Sequence, residues 1–108
     1  MPVRRKLKSG SPSMSFDLKF KEEALREWRA LDNGIRDQFK RKLVERLSNP
    51  HVAAAKLSGQ KDRYKIKLRT VGYRLVYEVR DTELIVVVVA VGKRERNAVY
   101  KKAAGRQA

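Results

Sequence analysis

Cationic side chains recur at strand spacing in the second half of the chain. Apolar and cationic residues alternate through Tyr64–Leu68, and a second alternating segment covers residues 73–80. Because successive side chains of a strand point to opposite faces of a sheet, Lys65 and Lys67 fall on one face, about 7 Å apart along the strand. If the two segments pair, Arg74 lies on the same face of the neighbouring strand. An open sheet face with these three cations is suited to binding a polyanion.

The net charge favours nucleic acid as that polyanion. The 108 residues include 27 lysine and arginine side chains against 12 acids, a formal net charge of +15. Residues 1–13 hold four of the cations and no acid, so residues 14–108 keep 23 cations against 12 acids, or +11. A field of this sign attracts nucleic acid, acidic membranes or acidic proteins. Cations that recur at strand period, instead of lining one helix, favour nucleic acid among the three.

Residue types that are rare or absent exclude several chemistries. The chain has no cysteine and a single histidine, which excludes disulfides, thiol nucleophiles, thiolate zinc sites and mechanisms that need two histidines. That histidine, His51, follows Pro50 at the end of a helical pattern, a position typical of a surface loop or a helix cap. The longest apolar run, residues 84–91, has eight residues against the roughly 20 that cross a membrane. We therefore expect no metal, no cofactor, no membrane partner and a cytoplasmic location.

The cationic segments need a scaffold, and the hydrophobic pattern predicts one. Ser15–Phe20 alternates as a short strand, and Leu84–Val91 is apolar on both faces, as in a central strand. Ala24–Leu31 and Ile35–Leu47 repeat apolar residues at helical spacing on either side of the turn Asp32-Asn33-Gly34. The predicted fold is α+β, with an N-terminal helical hairpin packed on one face of a mainly antiparallel four-stranded sheet. The other face of the sheet carries the cations.

Two basic segments lie outside the strand pattern. The cations of the second predicted helix are interpreted as a solvated face, and a secondary role in holding a large nucleic acid stays open. Residues 1–13 are basic and lack the apolar centre of a signal peptide, so an expression leader is preferred and a native basic arm is the alternative. Residues 14–108 are expected to form a single domain. The helix cations are Arg36, Lys40, Arg41, Lys42 and Arg46.

An ordered set of motifs resembles the RelE toxins of bacterial toxin–antitoxin pairs. The resemblance runs from about Met14 to Tyr100 with almost no gaps. It implies the small α+β fold of microbial ribonucleases, cleavage of messenger RNA in the ribosomal A site, and inhibition by a cognate antitoxin protein. The motifs are Trp28 in the first helix, Lys56-Leu57-x-Gly59, Tyr64-Lys65-Ile66-Lys67-Leu68-Arg69, Gly72-Tyr73-Arg74-Leu75-Val76-Tyr77, Val91-Gly92-Lys93-Arg94-Glu95-Arg96 and Tyr100.

The resemblance also implies a set of active-site residues. One position departs from the family pattern, because Ser58 stands where some relatives have an arginine before the loop glycine. We leave Ser58 out of the site and expect at most a weakened phosphate contact there. The implied active-site residues are Lys65, Lys67, Arg74, Arg94 and Tyr100.

These residue types can cleave RNA without a metal. RNA supplies its own nucleophile, the 2′-OH, so a nuclease needs a base, charge stabilisation at the phosphorane and help for the departing 5′-oxygen. Packing like charges together lowers a lysine's pKa, so Lys65 is the candidate base, with Lys67 and Arg74 as phosphate stabilisers. Arg94 holds its proton too firmly to donate it but can neutralise the leaving oxygen, while Tyr100 can orient the 2′-OH or stack on a base. Without a histidine or carboxylate base, such a site should be slow on free RNA. The resemblance implies dependence on the ribosome, which would supply the orientation that the protein lacks.

Two other functions remain open. One is a non-catalytic relative on the same fold that inhibits DNA gyrase through protein contacts, as in the ParE toxins. Gyrase binding would not require the joint presence of the five implied active-site residues. The other is a basic RNA-binding module in which the same cations only contact phosphate. Cuts within translated codons would distinguish the nuclease from both.

Overall fold

The computed structural model describes residues 15–106, so the leader or basic arm predicted for residues 1–13 lies outside the described range. Within that range one strand precedes two helices, and three strands precede a last helix. No helix of this part of the chain has the length and apolar character to cross a membrane. The elements are β1 (Asp17–Phe20), α1 (Glu22–Arg29), α2 (Asn33–Ser48), a 3₁₀ turn (Ala53–Ala55), β2 (Arg63–Leu68), β3 (Tyr73–Arg80), β4 (Ile85–Lys93) and α3 (Ala98–Ala104).

The four strands form one mixed sheet with the order β1-β4-β3-β2. β2 pairs with β3 and β3 pairs with β4 in antiparallel fashion, whereas β1 pairs with β4 in parallel. The prediction of a mainly antiparallel four-stranded sheet is thus confirmed, and one edge pair is parallel. β4 is central, and residues 86–91 are buried. Its apolar character on both faces follows from this position, since each face of a central strand is covered.

The helical hairpin covers one face of the sheet, as the apolar spacing predicts. Trp28 of α1 and two fully buried residues of α2, Phe39 and Leu43, belong to one core cluster with the inward-facing residues of β2 and β3. The turn between the helices is capped by Asp32, whose carboxylate accepts a hydrogen bond of 3.1 Å from the backbone N–H of Gly34. Full burial of side chains of this size stabilises the fold by about 1.5–3 kcal/mol each. The hairpin is therefore the main hydrophobic support of the sheet.

The third helix, α3, was not predicted, and it covers part of the face that we expected to be open. Val99 and Ala103 of α3 pack against Val76 of β3 and Ala90 of β4 in a second buried cluster. The register of β3 and β4 slips between Val76 and Tyr77, so residue 89 of β4 has no partner opposite it. Such a bulge bends a strand and redirects its side chains. The cationic face is thus open only beyond the area that α3 covers.

Glu27 of α1 fixes α3 to the rest of the molecule. Its carboxylate accepts hydrogen bonds from Lys102 Nζ at 2.8 Å, from Arg106 at 2.9 and 3.0 Å, and from the backbone N–H of Val91 at 3.1 Å. Burial by itself would raise the pKa of Glu27, but the bonds from Arg106 and Lys102 lower it from 4.5 to about 2. The carboxylate therefore stays charged and paired through the physiological pH range.

Arg63 holds the same C-terminal end of α3 from the side of β2. The side chain is buried, and its Nε forms an ion pair of 2.9 Å with Glu78 on the neighbouring strand. Its remaining N–H groups donate to the backbone carbonyls of Ala103 and Arg106. A cation near the last carbonyls of a helix satisfies groups that have no partner within the helix and opposes the negative end of its dipole.

Glu27→Gln should loosen α3, because an amide cannot neutralise the two cations that it would still contact. We expect a loss of about 1–3 kcal/mol in the free energy of unfolding, measured by denaturant titration. Amide exchange should accelerate mainly in α3. Glu22→Gln, at an exposed position of the same helix, is the matched control and should have little effect.

The pH dependence of this effect follows from the sign of the pKa shift. A carboxyl whose pKa is lowered in the folded state stabilises it above the unfolded pKa, and this contribution is lost as the pH falls through the folded pKa. The difference between the parent and Glu27→Gln should therefore shrink from about pH 4.5 to about pH 2. A difference that persists in full at the acid end would contradict the assignment.

Candidate active site

All five residues that the sequence points to line one cleft on the side of the sheet that α3 partly covers. The cleft has a volume of about 470 Å³. Its remaining lining comes from residues 93 and 95–99, which connect β4 to α3. The five residues come from three strands or their ends and from α3, and they are Lys65, Lys67, Arg74, Arg94 and Tyr100.

Strand register sets the spacing of the cations. Lys67 of β2 lies directly opposite Arg74 of β3, and Arg74 lies opposite Gly92 of β4. Side chains directly opposite on antiparallel strands have Cβ atoms about 4.5–5.5 Å apart, so Lys67 and Arg74 are immediate neighbours. A Cβ at residue 92 would lie 3.2 Å from Lys102 Nζ and 3.3 Å from a methyl group of Val99. Glycine at this position therefore allows α3 to approach the sheet beside Arg74.

A tight connection from β4 to α3 places the last two residues of the site. The backbone N–H of Arg94 donates to the carbonyl of Gly72 at 2.7 Å, which ties the end of β4 to the turn before β3. Arg96 and Asn97 then adopt left-handed φ values of 46° and 63°. Two consecutive residues in this conformation reverse the chain, so that the following helix returns over the sheet. Tyr100 reaches the cleft because of this reversal.

Two polar atoms at the cleft are buried without a protein partner. Within residues 15–106, Arg74 Nη1 and the hydroxyl of Tyr100 are inaccessible to solvent and form no hydrogen bond. An unsatisfied buried donor costs about 1–3 kcal/mol, so such groups are rare in folded proteins unless they serve a ligand or a reaction. Both atoms belong to side chains that line the cleft.

The cations of the cleft also lack acidic partners. Among the described residues, the ion pairs of lysine and arginine involve Arg63, Arg80, Lys102 and Arg106, all outside the cleft lining. The one acid in the lining, Glu95, is exposed and joins none of those pairs. The positive charge of the cleft is therefore available to a ligand.

Mutual repulsion acts most clearly on Lys67. The neighbouring ammonium of Lys65 lowers the pKa of Lys67 below its usual range, with further contributions from desolvation and from the guanidinium groups around it. Those groups belong, in decreasing order of effect, to Arg74, Arg69 and Arg94. An amine that is crowded in this way loses its proton more readily and binds an anion more strongly. Sequence reasoning proposed Lys65 as the candidate base, and the structure shows that its neighbour Lys67 is an amine with a lowered pKa.

Several residues have roles that the sequence pattern did not reveal. Lys93 and Arg96 also line the cleft. His51 lies in an exposed loop, as predicted, and its ring forms hydrogen bonds with the hydroxyl of Tyr64 at 2.7 Å and with the carboxylate of Asp81 at 2.8 Å.

Ser58 lies apart from the cleft, in an open depression formed by residues 56–61. Within the described range no three His, Cys, Asp or Glu side chains are grouped so as to hold a metal ion.

The sequence and fold match one known family of toxins. Residues 18–98 match the family model described as the ParE toxin of type II toxin–antitoxin systems. The chain belongs to the ParE/RelE toxin family. It is similar to a protein of Escherichia coli strain K12 named mRNA interferase toxin RelE, with 54% identity over 93 residues, or 86% of this chain and 98% of the relative.

Solved structures of this family share the fold. A mutant of E. coli toxin RelE in the free state matches with a TM-score of 0.81 and 50% identity, over 88% of this chain and 100% of that chain. A chain of the intact E. coli RelBE toxin–antitoxin complex matches with a TM-score of 0.73 and 54% identity, over 76% of this chain and 100% of that chain. The resemblance to RelE toxins and the predicted α+β class are thereby confirmed.

Removal of the Lys65 charge should restore the pKa of Lys67. In Lys65→Gln the largest cause of the lowering is gone, so the pKa of Lys67 should rise toward its ordinary value. An NMR titration of the carbon next to the amine measures this directly. Lys40→Gln, at an exposed position of α2, is the control and should leave the titration unchanged. An unchanged Lys67 titration in Lys65→Gln would refute the repulsion.

Proposed function

We propose that this toxin is an endoribonuclease that cleaves messenger RNA in the ribosomal A site and so stops translation in the cytoplasm. The observation that supports it most strongly is the cleft whose six cations have no acidic partner among the described residues and whose lining includes two unsatisfied donors, Arg74 Nη1 and the Tyr100 hydroxyl. A phosphodiester supplies the negative charge and the acceptors that these groups need. The similarity to a relative named mRNA interferase agrees with this reading.

The proposed reaction is an attack of the RNA's own 2′-OH on the adjacent phosphorus. A neutral lysine takes the hydroxyl proton, the bond from the 2′-oxygen to phosphorus forms, and the bond from phosphorus to the 5′-oxygen breaks. Water delivers a proton to the 5′-oxygen, and the products are a 2′,3′-cyclic phosphate and a free 5′-OH. We assign the base to Lys67 in place of Lys65, because the charges of Lys65, Arg74, Arg69 and Arg94 lower the pKa of Lys67.

The other cations stabilise charge as it develops. Lys65 and Arg74 flank Lys67, and in this scheme they hold the non-bridging oxygens of the phosphorane. Arg94 at the end of β4 neutralises the departing 5′-oxygen without giving up its proton. The buried hydroxyl of Tyr100 orients the 2′-OH. This scheme needs no metal ion.

The site lacks the stronger bases of fast ribonucleases, which gives the ribosome a physical role. No histidine lines the cleft, and its one carboxylate, Glu95, is exposed. A ribosome that holds the message in line with the cleft would supply orientation that the protein lacks, and orientation alone can account for several orders of magnitude in rate.

A cognate antitoxin is the proposed inhibitor. The structure of the E. coli RelBE complex shows that a similar toxin assembles with its antitoxin. The +15 charge of the present chain suits an acidic or amphipathic segment that packs on the fold and blocks or distorts the cationic face.

A map of message ends after brief expression in cells tests the proposed function. Primer extension should reveal cuts within translated codons. Arg94→Ala should remove them and slow single-turnover cleavage on programmed ribosomes by about 10²-fold or more, the scale for losing one preorganised transition-state contact. Ribosome affinity should change little, because many other cations contribute. Glu22→Gln serves as the unaffected control.

Other results would point to other functions. Intact message with blocked DNA supercoiling would identify a gyrase inhibitor. Intact message with RNA bound would identify a binding module. A loss of ribosome affinity in Arg94→Ala, with the single-turnover rate intact, would make Arg94 a docking residue.

The identity of the base can be tested by charge-preserving substitutions. Arginine retains the positive charge but has no lone pair at accessible pH, so Lys67→Arg should lose most of the cleavage rate. Lys65→Arg should retain more, since its proposed role is electrostatic and it still repels the proton of Lys67. Single-turnover rates from about pH 6 to 9 should rise with pH in the parent and in Lys65→Arg but stay flat in Lys67→Arg. The reverse pattern would assign the base to Lys65.

A further inference from the structure

A second cationic groove adjoins the cleft at the free edge of the sheet. It has a volume of about 310 Å³ and shares Lys65 and Lys67 with the cleft. β2 is an edge strand, so the cleft extends from these lysines toward β3 and β4, whereas the groove extends toward α2 and the 3₁₀ turn. Its other cations are Arg46 and Arg69, and its apolar lining is Val52, Ala54 and Ala55.

Arg46 is held in this groove by two hydrogen bonds and a cation–π contact. Its Nη1 donates to the hydroxyl of Tyr77 at 2.8 Å and to the carbonyl of Lys65 at 3.3 Å, and its guanidinium carbon lies 5.7 Å from the centre of the Tyr77 ring. The Tyr77 hydroxyl in turn donates to the carbonyl of Pro50 at 2.7 Å. Within the described residues, Nε and Nη2 of Arg46 form no hydrogen bond, so these donors remain for a ligand. A cation whose position is already fixed loses little entropy when it binds an anion.

The groove carries positive charge without compensation. None of its lining residues is acidic, and neither Arg46 nor Arg69 forms an ion pair with an acid in the part of the chain that the structure describes. Arg69 is exposed just beyond β2 and is close enough to lower the pKa of Lys67. The shared lysines and Arg69 repel one another. An anion in the groove, next to the one in the cleft, would relieve this repulsion.

We propose that this groove binds a backbone phosphate of the same single-stranded RNA, on one side of the phosphodiester held in the cleft. The proposal rests on the proposed function, because it takes the ligand of the cleft to be RNA. An RNA chain longer than the cleft extends beyond it on at least one side. Because the cleft and the groove share two lysines, they form one continuous cationic surface along which the chain can lie. The apolar lining fits the sugar or base that accompanies the phosphate. Arg69 and Arg46 are thus binding residues that extend the site beyond the five of the cleft.

RNAs of two lengths test this extension. The RNAs carry 2′-O-methyl groups, so they bind without being cleaved. A trinucleotide is short enough to occupy the cleft alone, and a nonanucleotide also reaches the groove. The measured quantity is the slope of log K against the logarithm of the salt concentration. In Arg69→Gln the magnitude of this slope should fall by about 0.7 with the nonanucleotide, which corresponds to one lost phosphate contact. With the trinucleotide the slope should equal that of the parent. Arg41→Gln, an exposed α2 cation outside both linings, is the matched control and should behave as the parent.

Neutral linkages identify the phosphate. A methylphosphonate is placed at one position of the nonanucleotide at a time. At the position that contacts the groove, the methylphosphonate should weaken binding to the parent and to Arg41→Gln. It should not weaken binding to Arg69→Gln, because that variant already lacks the cation that pairs with the phosphate.

Other outcomes would overturn the proposal. An equal loss for both RNA lengths, or no loss with either, would show that Arg69 does not contact an adjacent phosphate. A variant with normal RNA binding and weakened binding to an acidic protein partner would make the groove a protein-docking surface. These results are independent of the proposed cleavage, which fails only if the parent leaves ribosome-bound message intact.

Discussion

One carboxylate, that of Glu27, joins the elements that build the cleft. It belongs to α1, accepts a hydrogen bond from the backbone N–H of Val91 in β4, and forms ion pairs with Lys102 and Arg106 at the C-terminal end of the described chain. α3 has seven residues, too few for a stable helix in isolation. Its position over the sheet therefore depends on tertiary contacts, of which this charge cluster and the buried Val99 and Ala103 are the main ones. The wall of the cleft that carries Tyr100 depends on the same contacts.

The distribution of acids separates structural from functional charge. Glu27 and Glu78 neutralise cations that hold elements together, such as Arg106 and Arg63. In the cleft, by contrast, cations face one another, and the resulting repulsion lowers the pKa of Lys67. Such an arrangement is unfavourable for the empty protein and favourable once an anion is bound. The cations of the cleft thus lie on the same strands that the helical hairpin supports from the other side.

Much of the scaffold could be predicted because its signals are local. Alternation in β2 and β3 reports which side chains share a face, and it correctly grouped Lys65, Lys67 and Arg74. The four-residue spacing of Phe39 and Leu43 predicted the buried stripe of α2. The family resemblance supplied Arg94 and Tyr100, whose spacing alone does not place them near the lysines. The structure brings these residues together, while their catalytic roles remain proposals.

By itself, the sequence determined the periodicities, the excess of positive charge and the family, since each of these is a property of neighbouring residues or of composition. The tertiary structure decided where α3 lies, how Arg46 faces the second groove and which cations crowd Lys67. These features depend on contacts between distant residues, such as the pair of Glu27 and Arg106, which are 79 positions apart. No local pattern encodes such a pair. It forms because folding brings α1, β4 and α3 to one place, where a partly buried carboxylate needs a cation.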